Sequence, residues 1–313
     1  MTDPDRILVI KLAALGDVVQ AFGPFAAIRA HHPDARITLL TTPPFAELAR
    51  RAPWFDAVWG FGRPHGADWR GLLHLARQLR GGRFRRVYDL QTSGRSSRYR
   101  WLVGRGAEWS GIAPGASHPH SNPGRDRLHT VERQREQLEM AGLHHFPAPE
   151  LGWLDADLHR LDLPDRFALL IPGASPGRPG KRWPHFPELA AVLPIPVAVA
   201  GGPAEAPLVR AIQAARPDAL DLAGRTTLFE LGALARRAAL VVGNDTGPTH
   251  LAAAVGRPTL AIFGADSDPA LAAPRGPRTA ILRRVPIDAL QPAEVMTALR
   301  GMDALPAESP SRG

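Results

Sequence analysis

The sequence predicts an α/β protein of two doubly wound domains, each a parallel sheet covered by helices. Three features carry that expectation. Short apolar runs alternate with helix-length segments along most of the 313 residues. The runs, such as Arg6–Lys11 (RILVIK) and Thr259–Phe263 (TLAIF), are continuous, as in strands buried on both faces. The alternation breaks at Pro147–Pro164 and then restarts. The length suits two domains of ordinary size. We therefore expect an N-terminal domain over 1–155, a linker over 156–165, a C-terminal domain over 166–303 and a disordered tail over 304–313.

Each element follows from local pattern. Strand Arg6–Lys11 leads into a helix over Asp17–His31. The turn Pro33-Asp34 precedes strand Ile37–Thr41, and helix Phe45–Arg51 precedes strand Ala57–Phe61. Helix Trp69–Leu79, strand Arg86–Leu90 and helix Ser96–Val103 follow. Ala113–Arg127, rich in Pro, Gly, Ser and His, reads as a loop, and Thr130–Ala141 as a polar helix. The second alternation runs through strand Phe167–Ile171, helix Pro187–Leu193, strand Val197–Ala200, helix Ala206–Ala215 and the short strand Asp221–Leu222. Helix Thr227–Arg237 opens with Thr227-Leu-Phe-Glu230, a capping box in which each end side chain satisfies a backbone amide near the other. Strand Ala239–Val242, helix Pro248–Val255, strand Thr259–Phe263, strand Thr279–Leu282 and helix Pro292–Leu299 complete the order. Two such domains would leave a cleft between the C-terminal strand edges, where sheets of this kind bind ligands.

Composition narrows the function classes. No apolar run is long enough to span a membrane, and the N-terminus lacks a signal-peptide layout. The chain has no Cys, which excludes disulfides, thiolate metal sites and Cys nucleophiles and fits a cytoplasmic protein. Residues 1–150 hold 21 Lys and Arg against 14 Asp and Glu, whereas 151–313 hold 17 against 16. The excess, densest over Arg77–Arg105, is open to three partners (nucleic acid, anionic lipid, acidic glycan) or is a solvated surface. The chain has two Tyr and no interleaved aromatic-basic motif, which argues against nucleic acid. Helix Trp69–Arg80, apolar at Leu72, Leu73, Leu75, Ala76 and Leu79, fits core packing at least as well as membrane docking. Only two of the 38 basic residues are lysines, Lys11 and Lys181, and both lie beside motifs.

Those motifs sit in βα loops. Val242–His250 ends a strand in Gly-Asn-Asp-Thr-Gly-Pro-Thr-His and opens a helix. Gly247 allows close backbone approach, and unpaired amides plus the helix dipole make such a start an anion site. The expected ligand is a phosphate-bearing small molecule. The first βα turn, Lys11 to Val18, has one Gly and no dinucleotide fingerprint. Asp17 at that helix start reads either as an N-cap or as a general base toward a hydroxyl. The long loop Pro172–Pro184 carries Ser175, Lys181 and Arg182 and matches neither a P-loop nor a nucleophile elbow. The pairs Asp155/Asp157 and Asp266/Asp268 lie in the linker and a turn, and we read neither as a metal site. His250 has no second His at metal-site spacing.

Four blocks in order, Ile7–Gln20, Pro172–Pro184, Leu222–Ala235 and Val242–Phe263, make the chain resemble the heptosyltransferases of glycosyltransferase family 9. The resemblance implies a GT-B fold of two Rossmann-like domains facing across a cleft. It implies an ADP-heptose donor, inversion at the anomeric carbon, no essential metal or other cofactor, and an acidic glycolipid acceptor of lipopolysaccharide inner-core assembly. It implies a catalytic aspartate at Asp17, a phosphate-binding lysine at Lys181 and the Asp-Thr-Gly-x-x-His signature at Asp245, Thr246, Gly247 and His250. Arg182, Ser175, Gly201 and Gly202 are further donor-side candidates, the two glycines by letting the backbone approach the adenosine. Asp245, repelled by phosphate, is expected to accept hydrogen bonds from donor sugar hydroxyls. Lys11, Gln91, Arg95 and Arg98 are candidates toward the acceptor. A nucleotide-binding module without turnover, a different donor or acceptor, and a peripheral contact with the inner membrane surface stay open. Ala13-Ala14 stand where many members have Ser-Ser, so hydroxyl contacts at that turn are absent.

Overall fold

A computed structural model describes residues 4–12, 14–62, 69–104, 106–175 and 177–305; Ala13, Arg105, Pro176 and, of the tail expected over 304–313, residues 306–313 lie outside them. The chain divides into two compact units, Met1–Trp153 and Leu154–Gly313.

In the first unit the order is β1 (Arg6–Ile10), α1 (Leu15–Val19), α2 (Phe22–His31), β2 (Arg36–Thr41), α3 (Pro43–Arg51), β3 (Ala57–Gly60), α4 (Trp69–Gly81), β4 (Arg86–Asp89), α5 (Gly94–Val103), β5 (Glu108–Gly111), β6 (His118–Pro119) and α6 (Thr130–Met140). The strands form one parallel sheet in the order β3-β2-β1-β4-β5-β6. Three expectations change. The single helix over Asp17–His31 is two helices, because Pro24 has no N–H to bond the Gln20 carbonyl one turn back. The expected loop 113–127 includes β6, a two-residue edge strand where Pro119 costs no ladder bond. β5 is absent from the expected order because Glu-Trp-Ser-Gly is no apolar run, although Trp109 is buried in one cluster with Tyr99 of α5. Trp153 packs edge-on against Trp54 and Phe22, with centroids 5.7 Å apart in each case, which ties the Pro-rich stretch before it to the first unit.

In the second unit the order is β7 (Ala168–Ile171), α7 (Phe186–Val192), β8 (Val197–Val199), α8 (Ala206–Ala215), β9 (Leu220–Asp221), α9 (Leu228–Arg237), β10 (Leu240–Asn244), α10 (Gly247–Ala254), β11 (Thr259–Phe263), α11 (Pro269–Ala272), β12 (Thr279–Arg283) and α12 (Pro292–Gly301). The parallel sheet runs β12-β11-β10-β7-β8-β9. Counted within its unit, this is the strand order of the first sheet. The Thr227–Glu230 capping box forms at α9. Ala304 and Leu305 are buried in the second core, so ordered chain continues past the expected end at 303. Among the described residues no helix is long and apolar enough to cross a membrane.

Sheets of this order reverse direction at one seam, and a crevice opens beyond the strand ends there. The seam lies between β1 and β4 in the first unit and between β7 and β10 in the second.

Candidate functional site

At the second seam, Asn244 closes β10 and is fully buried. Its Nδ2 donates to the carbonyls of Pro172 (2.8 Å) and Gly173 (3.2 Å), and its Oδ1 accepts from the Trp183 amide (3.1 Å). One side chain thus pins both ends of the long loop after β7. Trp183 is buried and donates its ring N–H to the Leu290 carbonyl. The loop also rests against β11's end, where a Cβ on Gly264 would sit 2.0 Å from the Gly180 carbonyl oxygen. These anchors place Lys181, whose Nζ lies 2.5 Å from Asp245 Oδ2. His250 Nε2 lies 3.3 Å from Asp245 Oδ1. Burial would push the Asp245 carboxyl up, but its hydrogen bonds to His250 and Lys181 outweigh that and hold it at about 2. Asp245 is therefore a carboxylate clamped between two nitrogen groups. Thr246 stands at the N-cap of α10 without capping it by its side chain, so the first turn keeps amides for an anion beside the Lys181 ammonium. Thr249 is buried and bonds the Asn244 carbonyl at 2.7 Å, which locks the strand-to-helix turn. Gly243 makes room for it, since a Cβ there would meet Thr249 Oγ1 at 2.3 Å.

At the first seam, Lys11 follows β1, is buried, and donates to the Leu90 carbonyl beyond β4 at 3.2 Å. The Leu12 amide donates to Gln91 Oε1 at 2.9 Å. Asp17 lies in the first turn of α1, half-buried, while Ala14 occupies the N-cap. The cap reading of Asp17 is thereby corrected: an Asp three residues into the helix faces the helix dipole without closing the helix end. Burial pushes the Lys11 ammonium pKa down, Asp17 and Asp89 pull it back up, and Arg133 of α6 pushes it down. These four groups share one electrostatic neighbourhood. Asp89 is fully buried at the end of β4, and its carboxyl is pushed up to about 7 by that burial. The Ser96 hydroxyl and the amides of Thr92 and Gln91 oppose the rise. Thr92 carries φ 43°, a left-handed backbone rare for a β-branched residue, in the turn that folds those amides onto Asp89.

The structure brings Lys181, Asp245, Thr246, Gly247 and His250 together at one seam and Lys11, Gln91 and Asp17 at the other. Arg95 is half-buried near Tyr99, and Arg98 is exposed. Ser175 and Arg182 are exposed on the loop and bond neither Asp245 nor His250. Gly201 and Gly202 have a neighbour that sequence reading missed: Glu205 packs over both and over Gly173, and a Cβ at Gly201 would meet Glu205 Cβ at 2.9 Å. Asn244, Trp183, Asp89 and Arg133 were also missed. Asn244 and Asp89 had a readable signal, a polar residue ending an apolar strand at a seam. Arg133 had none. Of the aspartate pairs, Asp268 caps α11 and Asp157 accepts the His159 amide, both structural tasks. His120 is held by Glu136 at 2.7 Å and His129 accepts the Val131 amide, so both serve structure in the first unit.

The profile of glycosyltransferase family 9 (heptosyltransferase) matches residues 72–294. The chain belongs to this family. Among relatives of the family-9 chain, lipooligosaccharide heptosyltransferase 2 of Haemophilus influenzae is 36% identical over 124 residues, which span 36% of this chain and 35% of that relative. The lipopolysaccharide core heptosyltransferase OpsX of Haemophilus influenzae is 24% identical over 286 residues, 83% of this chain and 79% of that one. The solved structure of Escherichia coli ADP-heptose lipopolysaccharide heptosyltransferase II superposes with a TM-score of 0.76 at 21% identity, covering 95% of this chain and 98% of that chain. The fold is accordingly of the GT-B type, as the resemblance implied.

Proposed function

We propose that this chain is an inverting glycosyltransferase that moves heptose, or a related sugar, from an ADP-sugar to a hydroxyl of an acidic glycolipid such as the lipopolysaccharide inner core. The observation that carries the reading is the Lys181 ammonium held at the start of α10, beside a helix N-terminus that no side chain caps. A diphosphate fits that chemistry. Family membership and the names of its relatives support a heptose donor with an ADP leaving group.

In this reaction the acceptor oxygen bonds the anomeric carbon on the face opposite ADP, and its proton passes to the Asp17 carboxylate. The bond from that carbon to the diphosphate oxygen breaks, and the electron pair leaves with ADP. Negative charge grows on the diphosphate, where Lys181 and the amides around Thr246–Gly247 stabilise it. This is the task a divalent metal performs in other transferases, and we propose a metal-independent enzyme on that ground. Asp245 keeps Lys181 and His250 in place and retains lone pairs for donor sugar hydroxyls. Lys11, Gln91, Arg95 and Arg133 supply polar and cationic contacts toward the acceptor's carboxylates and phosphates. Such an acceptor places the work at the cytoplasmic face of the inner membrane.

A thermal-shift panel of ADP, UDP, GDP, NAD and ADP-heptose tests the donor. A ligand at 100 times its Kd adds about 2.7 kcal/mol. Stabilisation by ADP and ADP-heptose alone is expected. Preference for UDP or GDP would discard the donor but keep the transferase, and silence across the panel would overturn the reading.

A further inference from the structure

Helix α4 is more apolar than its own core requires. Leu75 and Leu79 are fully buried, yet Trp69, Leu72 and Leu73 are 61%, 45% and 45% exposed. Trp69, Leu72, Leu73 and Ala76 follow helical spacing, so they form one stripe beside the buried one. Arg70, Arg77 and Arg80 are exposed around it, with Arg70 over the Trp69 ring at 5.3 Å. α5, which packs beside α4, adds Trp101 at 62% exposure and an exposed Arg98. Neither helix contains an acidic residue. The exposed charged side chains of the two helices are Arg70, Arg77, Arg80 and Arg98.

We propose that this face of the first unit docks onto an anionic lipid surface. Trp at the headgroup level, Leu at the acyl boundary and Arg toward lipid phosphates is the arrangement of an in-plane interfacial helix. The charge decides between occupants. A second copy would bring the same two Arg-rich helices, neither with an acidic residue, into contact with each other, whereas an anionic bilayer supplies negative charge across its whole surface. The proposal deepens the glycolipid reading, because a lipid acceptor is met at the same surface.

The test is co-sedimentation of the full chain with vesicles of phosphatidylcholine alone and of phosphatidylcholine mixed with phosphatidylglycerol. Binding to the mixed vesicles only, weakened by salt, is expected. The double variants Leu72→Ser/Leu73→Ser and Arg77→Gln/Arg80→Gln should each bind about tenfold less or weaker still. All four positions are exposed, and a ligand-free unfolding midpoint close to the wild-type value reports that each variant is folded. No binding to mixed vesicles, or equal binding by the variants, would overturn the proposal. So would light scattering that shows a wild-type dimer converted to monomer by the Leu72→Ser/Leu73→Ser change, since the occupant would then be a second copy. Loss of the ADP response with vesicle binding intact would sink the donor reading and leave the docking face standing.

Discussion

Asp89 and Asp245 stand at near-matching places, the first ending the fourth strand of its unit and the second just beyond the fourth strand of the other. Both are buried. Asp89 is pushed up to about 7, and Asp245 is held at about 2. The difference lies in what touches the oxygens. Lys11, the cation near Asp89, spends its hydrogen bond on the Leu90 carbonyl and is itself pushed down by burial. Lys181 and His250 instead meet one Asp245 oxygen each. Two backbone amides and a hydroxyl on Asp89 do not outweigh its full burial, and neither does a cation merely nearby; an ammonium in direct contact, as at Asp245, does. The stability consequences have opposite signs. With Asp89 raised, the folded first unit binds a proton more tightly than its unfolded chain, so it loses stability as pH rises from about 4 to about 7. With Asp245 lowered, its contribution is present above about pH 4 and is lost as pH falls toward about 2.

Substitutions at the two seams can break or sharpen this contrast. The largest expected effect is on turnover. Asp17→Asn should lower kcat by about 10²–10⁴-fold with the ADP-induced thermal shift unchanged, because the base and the nucleotide residues belong to different units. Lys181→Ala should do the reverse in binding, weakening ADP by about tenfold or more. Wild-type turnover in Asp17→Asn would remove Asp17 as the base. Next in size, Asp245→Asn should cost the second unit about 2–3 kcal/mol near pH 7, since Lys181 and His250 lose their shared carboxylate. Chemical denaturation against pH should show that gap narrowing below about pH 4. Asp89→Asn is the same chemical change at the other seam and should behave oppositely. At pH 8 it should be neutral or stabilising by about 1 kcal/mol, and it should flatten the pH dependence of the first unit. A large loss at pH 8 would mean that the Asp89 charge is needed after all. Smallest of the set, Thr227→Ala should cost about 1 kcal/mol by opening the α9 capping box, with ADP affinity unaltered.

The repeat between the units is legible in topology and not in sequence. RILVIK and TLAIF announce strands because a strand buried on both faces must be apolar throughout. β5 does not, because one buried Trp109 does the packing of a whole strand. Lys181 and Asp245 could be named from motifs, but their contact joins residues 64 apart, and spacing alone says nothing of that. Asn244 is harder still. Its identity is plain in the sequence, yet its task of bonding Pro172, Gly173 and Trp183 depends on which loop the sheet brings to it. The exposure of Leu72 and Leu73 beside the buried Leu75 was unreadable for a related reason: periodicity shows that α4 is amphipathic, whereas only the packed sheet shows how much of the apolar arc it covers.

The seams also set the order in which the protein can be made. β1, β2 and β3 are complete before β4 is synthesised, and β4 must return across about 80 residues to pair with β1. Until Arg86–Asp89 leaves the ribosome, β1 is an open edge with the sequence Arg-Ile-Leu-Val-Ile, the sort of unpaired apolar edge that recruits another chain. The crevice that gives this fold its chemistry is therefore the last joint of each sheet's centre to close, and a nascent chain stalled before β4 exposes an apolar edge at the strand that later positions Lys11.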